Sequence, residues 1–169
     1  MKILKLLRIN NWVKNIFILM PLFFSGQFFD YDKFLDNIIV LIGFSFIASS
    51  VYIINDLFDL KYDKTHPEKK FRPLASGKIS IGFSIKFAIL LVITGHLIIY
   101  MKSLNCMIIS FLYFTINLFY SYKLKQIPII DFVIISIGFV LRLYIGGEIS
   151  SIELSNWIII MVLLISIFI

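Results

Sequence analysis

Residues 37–80 read NIIVLIGFSFIASSVYIINDLFDLKYDKTHPEKKFRPLASGKIS, an apolar run that turns within a few positions into a stretch carrying both signs of charge. From 37 to 57 the only charged residue is Asp56, and the run is as long as the roughly 20 residues a helix needs to cross a hydrocarbon core of about 30 Å. Comparable runs fall at 15–30, 81–101, 104–122, 127–147 and 155–169. This pattern predicts an all-α fold, a polytopic transmembrane helix bundle with five to six spans, the last cut short where the sequence ends. A single integral-membrane domain over 1–169 is expected, with 58–80 as a polar loop between the second and third spans.

Composition agrees with the span pattern. The 169 residues are 60% hydrophobic and only 15% charged, where soluble domains carry roughly 25% charged residues. A separate water-soluble domain is excluded. The lone Cys106 rules out a disulfide framework and a cysteine metal site, and His66 and His96 stand too far apart for a zinc or haem pair. The net charge of +6 does not point to nucleic acid, because so apolar a chain has little exposed face for a basic stripe. The basic residues are instead distributed by topology. Lys2, Lys5, Arg8 and Lys14 lie at the N-terminus, Lys61, Lys64, Lys69, Lys70, Arg72 and Lys78 in 58–80, and Lys123 and Lys125 after the fourth run. The alternate connections carry few bases, and 148–154 holds Glu148 and Glu153 with none. The positive-inside rule therefore predicts a multi-pass protein of the cell membrane with the N-terminus, 58–80 and 123–126 in the cytoplasm. MKILKLLRINNWVKN reads as a retained amphipathic lead-in and not as a cleaved signal.

The chemistry is concentrated at the end of the second span. At about 100° per residue, Asp56, Asp59 and Asp63 fall within about 60° of one another on a helix, with Asn55 close in angle to Asp59 and Asp63. Three like charges beside a low-dielectric region repel strongly, so a cation is expected among them. Oxygen ligands without His or Cys point to a hard ion, Mg²⁺ ahead of Ca²⁺, and Mg²⁺ commonly shares a few carboxylates with substrate phosphates. Lys69, Lys70 and Arg72 follow within the same loop and can surround an anion. Spacing alone leaves a second reading open, a solvated helix end followed by a positive-inside loop. In the fifth run Asp131 and Arg142 share a helix face about 16 Å apart along the axis, too far to pair, and ionisable residues at that depth face a cavity or a partner. Asp131 is the better placed of the two for the site wall. Gly138, Gly146 and Gly147 read first as helix-packing positions.

These residues resemble the UbiA superfamily of intramembrane prenyltransferases, whose first aspartate-rich motif NDxxDxxxD is matched in full by residues 55–63 and followed by RPLASG. RINNWVKN, HPEKKFRPLASGKIS, SYKLKQIPIID and GFVLRLYIGG resemble more narrowly the branch of decaprenyl-phosphate phosphoribosyltransferases. The resemblance implies a helical bundle around a cavity open to lipid, with Mg²⁺ held by Asn55, Asp56, Asp59 and Asp63. Asp56, Asp59, Asp63 and Asp131 are then the expected catalytic acids. Lys14, Lys69, Lys70 and Arg72 are expected on the donor phosphates, Tyr122, Lys123 and Lys125 closing the other side, and Arg142 also contacting substrate. The implied reaction moves 5-phosphoribose from phosphoribosyl diphosphate to polyprenyl (decaprenyl) phosphate, a cell-wall precursor step. The alternatives are transfer of a polyprenyl chain to an aromatic or other acceptor, and an inactive truncated membrane protein. Superfamily members usually have about nine spans and a second charged motif, so the sequence reads as an N-terminal portion, completed by further sequence or by a second chain.

Overall fold

The computed structural model describes residues 2–167 and is helical, with no strand among the described residues. A short helix α1 (Lys2–Leu7) leads into a 3₁₀ segment (Ile9–Leu19) and α2 (Met20–Phe24). Then come α3 (Tyr31–Phe58), α4 (Leu60–Thr65), α5 (Ile81–Tyr100), α6 (Leu104–Tyr122), α7 (Pro128–Ser150) and α8 (Asn156–Ile167). Helices α3, α5, α6 and α7 are long and apolar enough to span a membrane. Side-chain caps set the starts of three of them, Asp30, Ser80 and Ser103 accepting from the backbone N–H of Lys33, Phe83 and Cys106, while α7 opens on Pro128 with no side-chain cap.

Helix α3 is the hub, packing along α5 and touching α6, α7 and the 3₁₀ segment. Val40, Phe44, Ile47, Ala48 and Val51 of α3 meet Ile18, Ile99, Tyr113 and Ile145 in the main core. Small residues bring backbones together, as expected where lipid supplies no hydrophobic drive between helices. A Cβ on Gly95 would lie 2.6 Å from the Gly43 carbonyl oxygen, and one on Gly146 only 1.9 Å from that of Ile18. Ile85, Ile89, Leu90, Ile93 and Leu97 of α5 are exposed, the arrangement of a helix facing lipid.

The first span departs from the sequence expectation. The apolar run 15–30 forms no single α-helix but the end of an 11-residue 3₁₀ segment followed by one short helix. Runs of 3₁₀ beyond 3–4 residues are uncommon, and here α3 imposes one. Trp12 Nε1 donates to Ser49 Oγ at 2.9 Å and Asn15 Nδ2 to Ser45 Oγ at 2.8 Å. Three residues of 3₁₀ helix rise about 6 Å, as do four residues of α-helix, so positions 12 and 15 stay in step with 49 and 45. The threefold repeat sorts the segment into columns. Asn10, Val13 and Ile16 are exposed, Asn15 and Ile18 are buried, and Asn11, Lys14 and Phe17 lie between. Within the last run, 155–169, the described helix is α8, whose 12 residues rise about 18 Å.

Gly146→Ala should destabilise by about 3 kcal/mol, because the added methyl meets backbone and not a movable side chain. Gly82→Ala, with nothing within 4 Å of its Cβ, should instead gain about 0.5–1 kcal/mol from helix propensity. Thermal unfolding in detergent checks both signs.

Candidate functional site

The carboxylate run sits where α3 ends. Asp59 caps α3 and begins α4, with its own N–H bonded to the Asn55 carbonyl and its carbonyl accepting from Asp63 N–H at 2.8 Å. The four residues consequently separate into two pairs instead of one face. At about 100° per residue, 56 and 63 differ by only about 20° and 55 and 59 by about 40°, and these are the pairs observed.

Asp56 and Asp63 are 3% and 1% exposed. One nitrogen of Arg72, Nη1, bridges them, donating to Asp63 Oδ2 at 2.6 Å and to Asp56 Oδ1 at 3.2 Å. Arg8 forms a second ion pair with Asp56. It does so from a left-handed backbone conformation, φ 49° and ψ 49°, between α1 and the 3₁₀ segment. A non-glycine residue pays for that conformation, and here it turns the guanidinium onto the carboxylate and over the Tyr52 ring. The other pair lies under Lys125, from the short 3₁₀ turn Leu124–Gln126. Lys125 ion-pairs with Asp59 and donates to Asn55 Oδ1 at 3.2 Å, while Asn55 Nδ2 donates to Asp59 Oδ2 at 3.2 Å.

Three carboxylates therefore face three side-chain cations, Arg8, Arg72 and Lys125. The expectation of a cation among the acids is met by protein groups. Among the described residues no three His, Cys, Asp or Glu side chains gather as a metal centre, because arginine and lysine stand between the acids. One observation still fits a hard cation. Asp63 Oδ1 is buried with no hydrogen-bond partner, which is costly for a carboxylate oxygen, and the donor set of Asn55, Asp56, Asp59 and Asp63 is all oxygen.

The remaining expected residues divide between places. Lys69 lies over Tyr62 and Lys70 over Phe71, on the outer side of the loop and in no ion pair among the described residues. Tyr122 meets the edge of Phe58 and carries Lys123 over its own ring. Asp131 accepts from Tyr120 Oη at 2.7 Å. Lys14, expected beside Lys69 and Lys70, points elsewhere, into a cavity of about 190 Å³ that it shares with Arg142, Tyr113 and Tyr120. Arg142 is tied by Nε to Asn15 Oδ1 at 2.8 Å and by Nη1 to the Gly138 carbonyl at 2.6 Å. Asp131 and Arg142 do not pair, as their spacing required. Arg8 and Tyr120 were not read as site residues from sequence. Arg8 reaches an acid 48 positions away, a contact no local spacing encodes, although it opens the quoted RINNWVKN.

Removing one member of a buried ion cluster strands the others. Arg72→Met is expected to destabilise by about 3 kcal/mol, and adding Asp63→Asn should recover part of that loss, since the stranded charge is then gone. Unfolding of the two single variants and the double variant measures this coupling, and additive losses would contradict the bridge.

With this geometry in hand, comparison with known proteins is direct. The UbiA prenyltransferase family matches residues 16–169. The decaprenyl-phosphate phosphoribosyltransferase of Corynebacterium glutamicum is 34% identical over 160 residues, 91% of this chain and 48% of that protein. The digeranylgeranylglyceryl phosphate synthase of Sulfolobus acidocaldarius is 35% identical over 121 residues, 70% of this chain and 42% of that protein. A solved UbiA homolog from Archaeoglobus fulgidus bound to DMAPP and Mg2+ superposes with a TM-score of 0.84 at 20% identity, over 99% of this chain and 60% of that one. The chain spans about half the length of the curated relatives it matches. A multi-helix membrane fold, the aspartate run at the end of α3 and a family match over nearly the whole sequence converge: the chain belongs to the UbiA prenyltransferase family.

Proposed function

We propose that this chain carries the diphosphate-binding part of an intramembrane transferase that moves 5-phosphoribose from phosphoribosyl diphosphate to a polyprenyl phosphate. The observation that carries the reading is the acidic run set among exchangeable cations, with Asp63 Oδ1 buried and unpartnered. The choice of ribose is supported by similarity to the Corynebacterium glutamicum enzyme along most of the chain. In this reading 58–80 and the N-terminus face the cytoplasm, where the basic residues concentrate.

Asn55, Asp56, Asp59 and Asp63 would hold Mg²⁺. When bound, the ion neutralises charge on the departing diphosphate. The chain's own residues do the rest. Arg72, Arg8 and Lys125, 26%, 24% and 20% exposed at the side chain, pass from carboxylate oxygens to phosphate oxygens, an exchange of one anion for another that leaves each cation paired. The bond from ribose C1 to the diphosphate oxygen breaks with its electron pair leaving on oxygen, and an oxygen lone pair of the acceptor phosphate forms the new bond to C1. A phosphate monoester is ionised near neutral pH, its second pKa being about 6, so no strong base is needed. Neither histidine pairs with the acids: His66 accepts from the Glu68 and Lys69 N–H groups, and His96 contacts Val92 within α5.

A second reading, transfer of a prenyl chain, is favoured by the Archaeoglobus fulgidus homolog bound to DMAPP and Mg2+. Both reactions release diphosphate, so the acidic run serves either. Membranes carrying the chain, supplied with labelled phosphoribosyl diphosphate and polyprenyl phosphate, are expected to form labelled lipid product that chelation of Mg²⁺ abolishes. Asp56→Asn and Asp59→Asn should each lower turnover about 100-fold or more. Product from prenyl diphosphate alone would transfer the assignment to the second reading, and turnover indifferent to both substitutions would remove the acidic run from the reaction.

A further inference from the structure

The acidic run is balanced by Arg8, Arg72 and Lys125, but two further cations inside the bundle have no such partner. Arg142 is 5% exposed, and neither it nor Lys14 forms an ion pair among the described residues. The Arg142 guanidinium donates only to neutral acceptors, Asn15 Oδ1, the Gly138 carbonyl and Tyr113 Oη at 3.2 Å. Those bonds use three of its five N–H groups. Rings close around it, with Phe44 and Tyr113 each 4.9 Å and Phe139 5.6 Å from its central carbon. Lys14 Nζ lies 6.0 Å from the same Phe139 ring. Both cations line the cavity of about 190 Å³, whose other polar walls are Tyr52, Tyr113, Asn117 and Tyr120. Of the two acids on α7, Asp131 is occupied by the Tyr120 hydroxyl and Glu148 accepts from Asn105 Nδ2 at 2.7 Å.

Two like charges in a low-dielectric cavity repel, and each pays a desolvation cost that aromatic faces and neutral acceptors repay only in part. The arrangement calls for an anion of about two charges. A cavity below the roughly 300–1,000 Å³ of sites for drug-sized molecules admits a head group and not a chain. We propose that Lys14 and Arg142 form a second anion site, separate from the acidic run, that takes a phosphate monoester carrying about two charges. Lys14 stands six residues beyond Arg8 along a segment rising about 2 Å per residue, about 12 Å deeper than the acidic run. Under the transferase reading, on which the identity of the ligand rests, that phosphate is either the head of the polyprenyl phosphate acceptor or the 5-phosphate of the donor, and a prenyl diphosphate offers no such group.

The test measures binding to the detergent-solubilised chain with four probes: polyprenyl phosphate and uncharged polyprenol in the presence of EDTA, phosphoribosyl diphosphate with Mg²⁺, and dimethylallyl diphosphate with Mg²⁺. Lys14→Met keeps the length of the side chain and removes its charge, and Lys14→Arg restores the charge. The expected result is that Lys14→Met weakens one phosphate-monoester probe about tenfold or more, that Lys14→Arg recovers most of it, and that dimethylallyl diphosphate binds as before. Loss confined to polyprenyl phosphate assigns the site to the acceptor head, and loss confined to phosphoribosyl diphosphate assigns it to the donor 5-phosphate. The proposal is overturned if Lys14→Met leaves both monoesters unchanged, if it weakens dimethylallyl diphosphate equally, or if uncharged polyprenol binds as well as polyprenyl phosphate. Arg142→Met against the charge-keeping Arg142→Lys, each checked for an unchanged unfolding temperature, gives the same comparison from the other side of the cavity. Failure of these binding results leaves labelled-product formation as an independent measure of the transferase reading.

Discussion

Carboxylates beside a membrane must be neutralised where they stand, and much of this fold is arranged around that requirement. Asp56 and Asp63 are almost fully buried at the edge of an apolar bundle, so each needs a cation brought to it through the chain's own topology. Arg72 arrives by the loop that folds back beneath α4, Arg8 by the left-handed turn after α1, and Lys125 by the tight turn after α6. Three separate connections are thereby pinned to the end of α3. Cations that neutralise carboxylates can also hold phosphates, and under the proposed function the same groups serve structure in one state and an anionic ligand in the other.

Much of this was legible in residue order. Span positions follow from apolar run length, and α3, α5, α6 and α7 lie close to where those runs place them. Helical angle gathers Asp56, Asp59 and Asp63 toward one side, but their division into Asp56 with Asp63 and Asn55 with Asp59 shows only in the structure, where α3 breaks at Asp59 and different cations reach each pair. Less legible was the source of the counter-charges. Lys69 and Lys70 are nearer in sequence to Asp63 than Arg8 is, yet they rest over Tyr62 and Phe71 while Arg8 holds Asp56. Proximity along the chain says little about which base a buried acid receives, because the choice is made by the turn that delivers it.

The first span shows a different kind of illegibility. Its residues carry a period of three, with Arg8, Asn11, Lys14 and Phe17 in one column and Trp12, Asn15 and Ile18 in the next, and a search at the α-helical period passes over it. That period places Lys14 in the inner cavity with Arg142 instead of on the loop with the other lysines. Two side-chain donors three apart, Trp12 and Asn15, facing two serines four apart on α3 are the signal that was available.

The 3₁₀ segment is also a helix held at extension. Its 11 residues rise about 22 Å, where α-helical geometry would take about 16–17 Å, and the bonds to Ser45 and Ser49 hold positions 15 and 12 at the 3₁₀ spacing. Losing one residue from this stretch would turn everything before it by about 120°, carrying Val13 onto the column that holds Lys14 and putting an apolar group where the inner cavity has its charge. Only insertions or deletions in multiples of three leave each column in register with α3, a reading frame written in the packing.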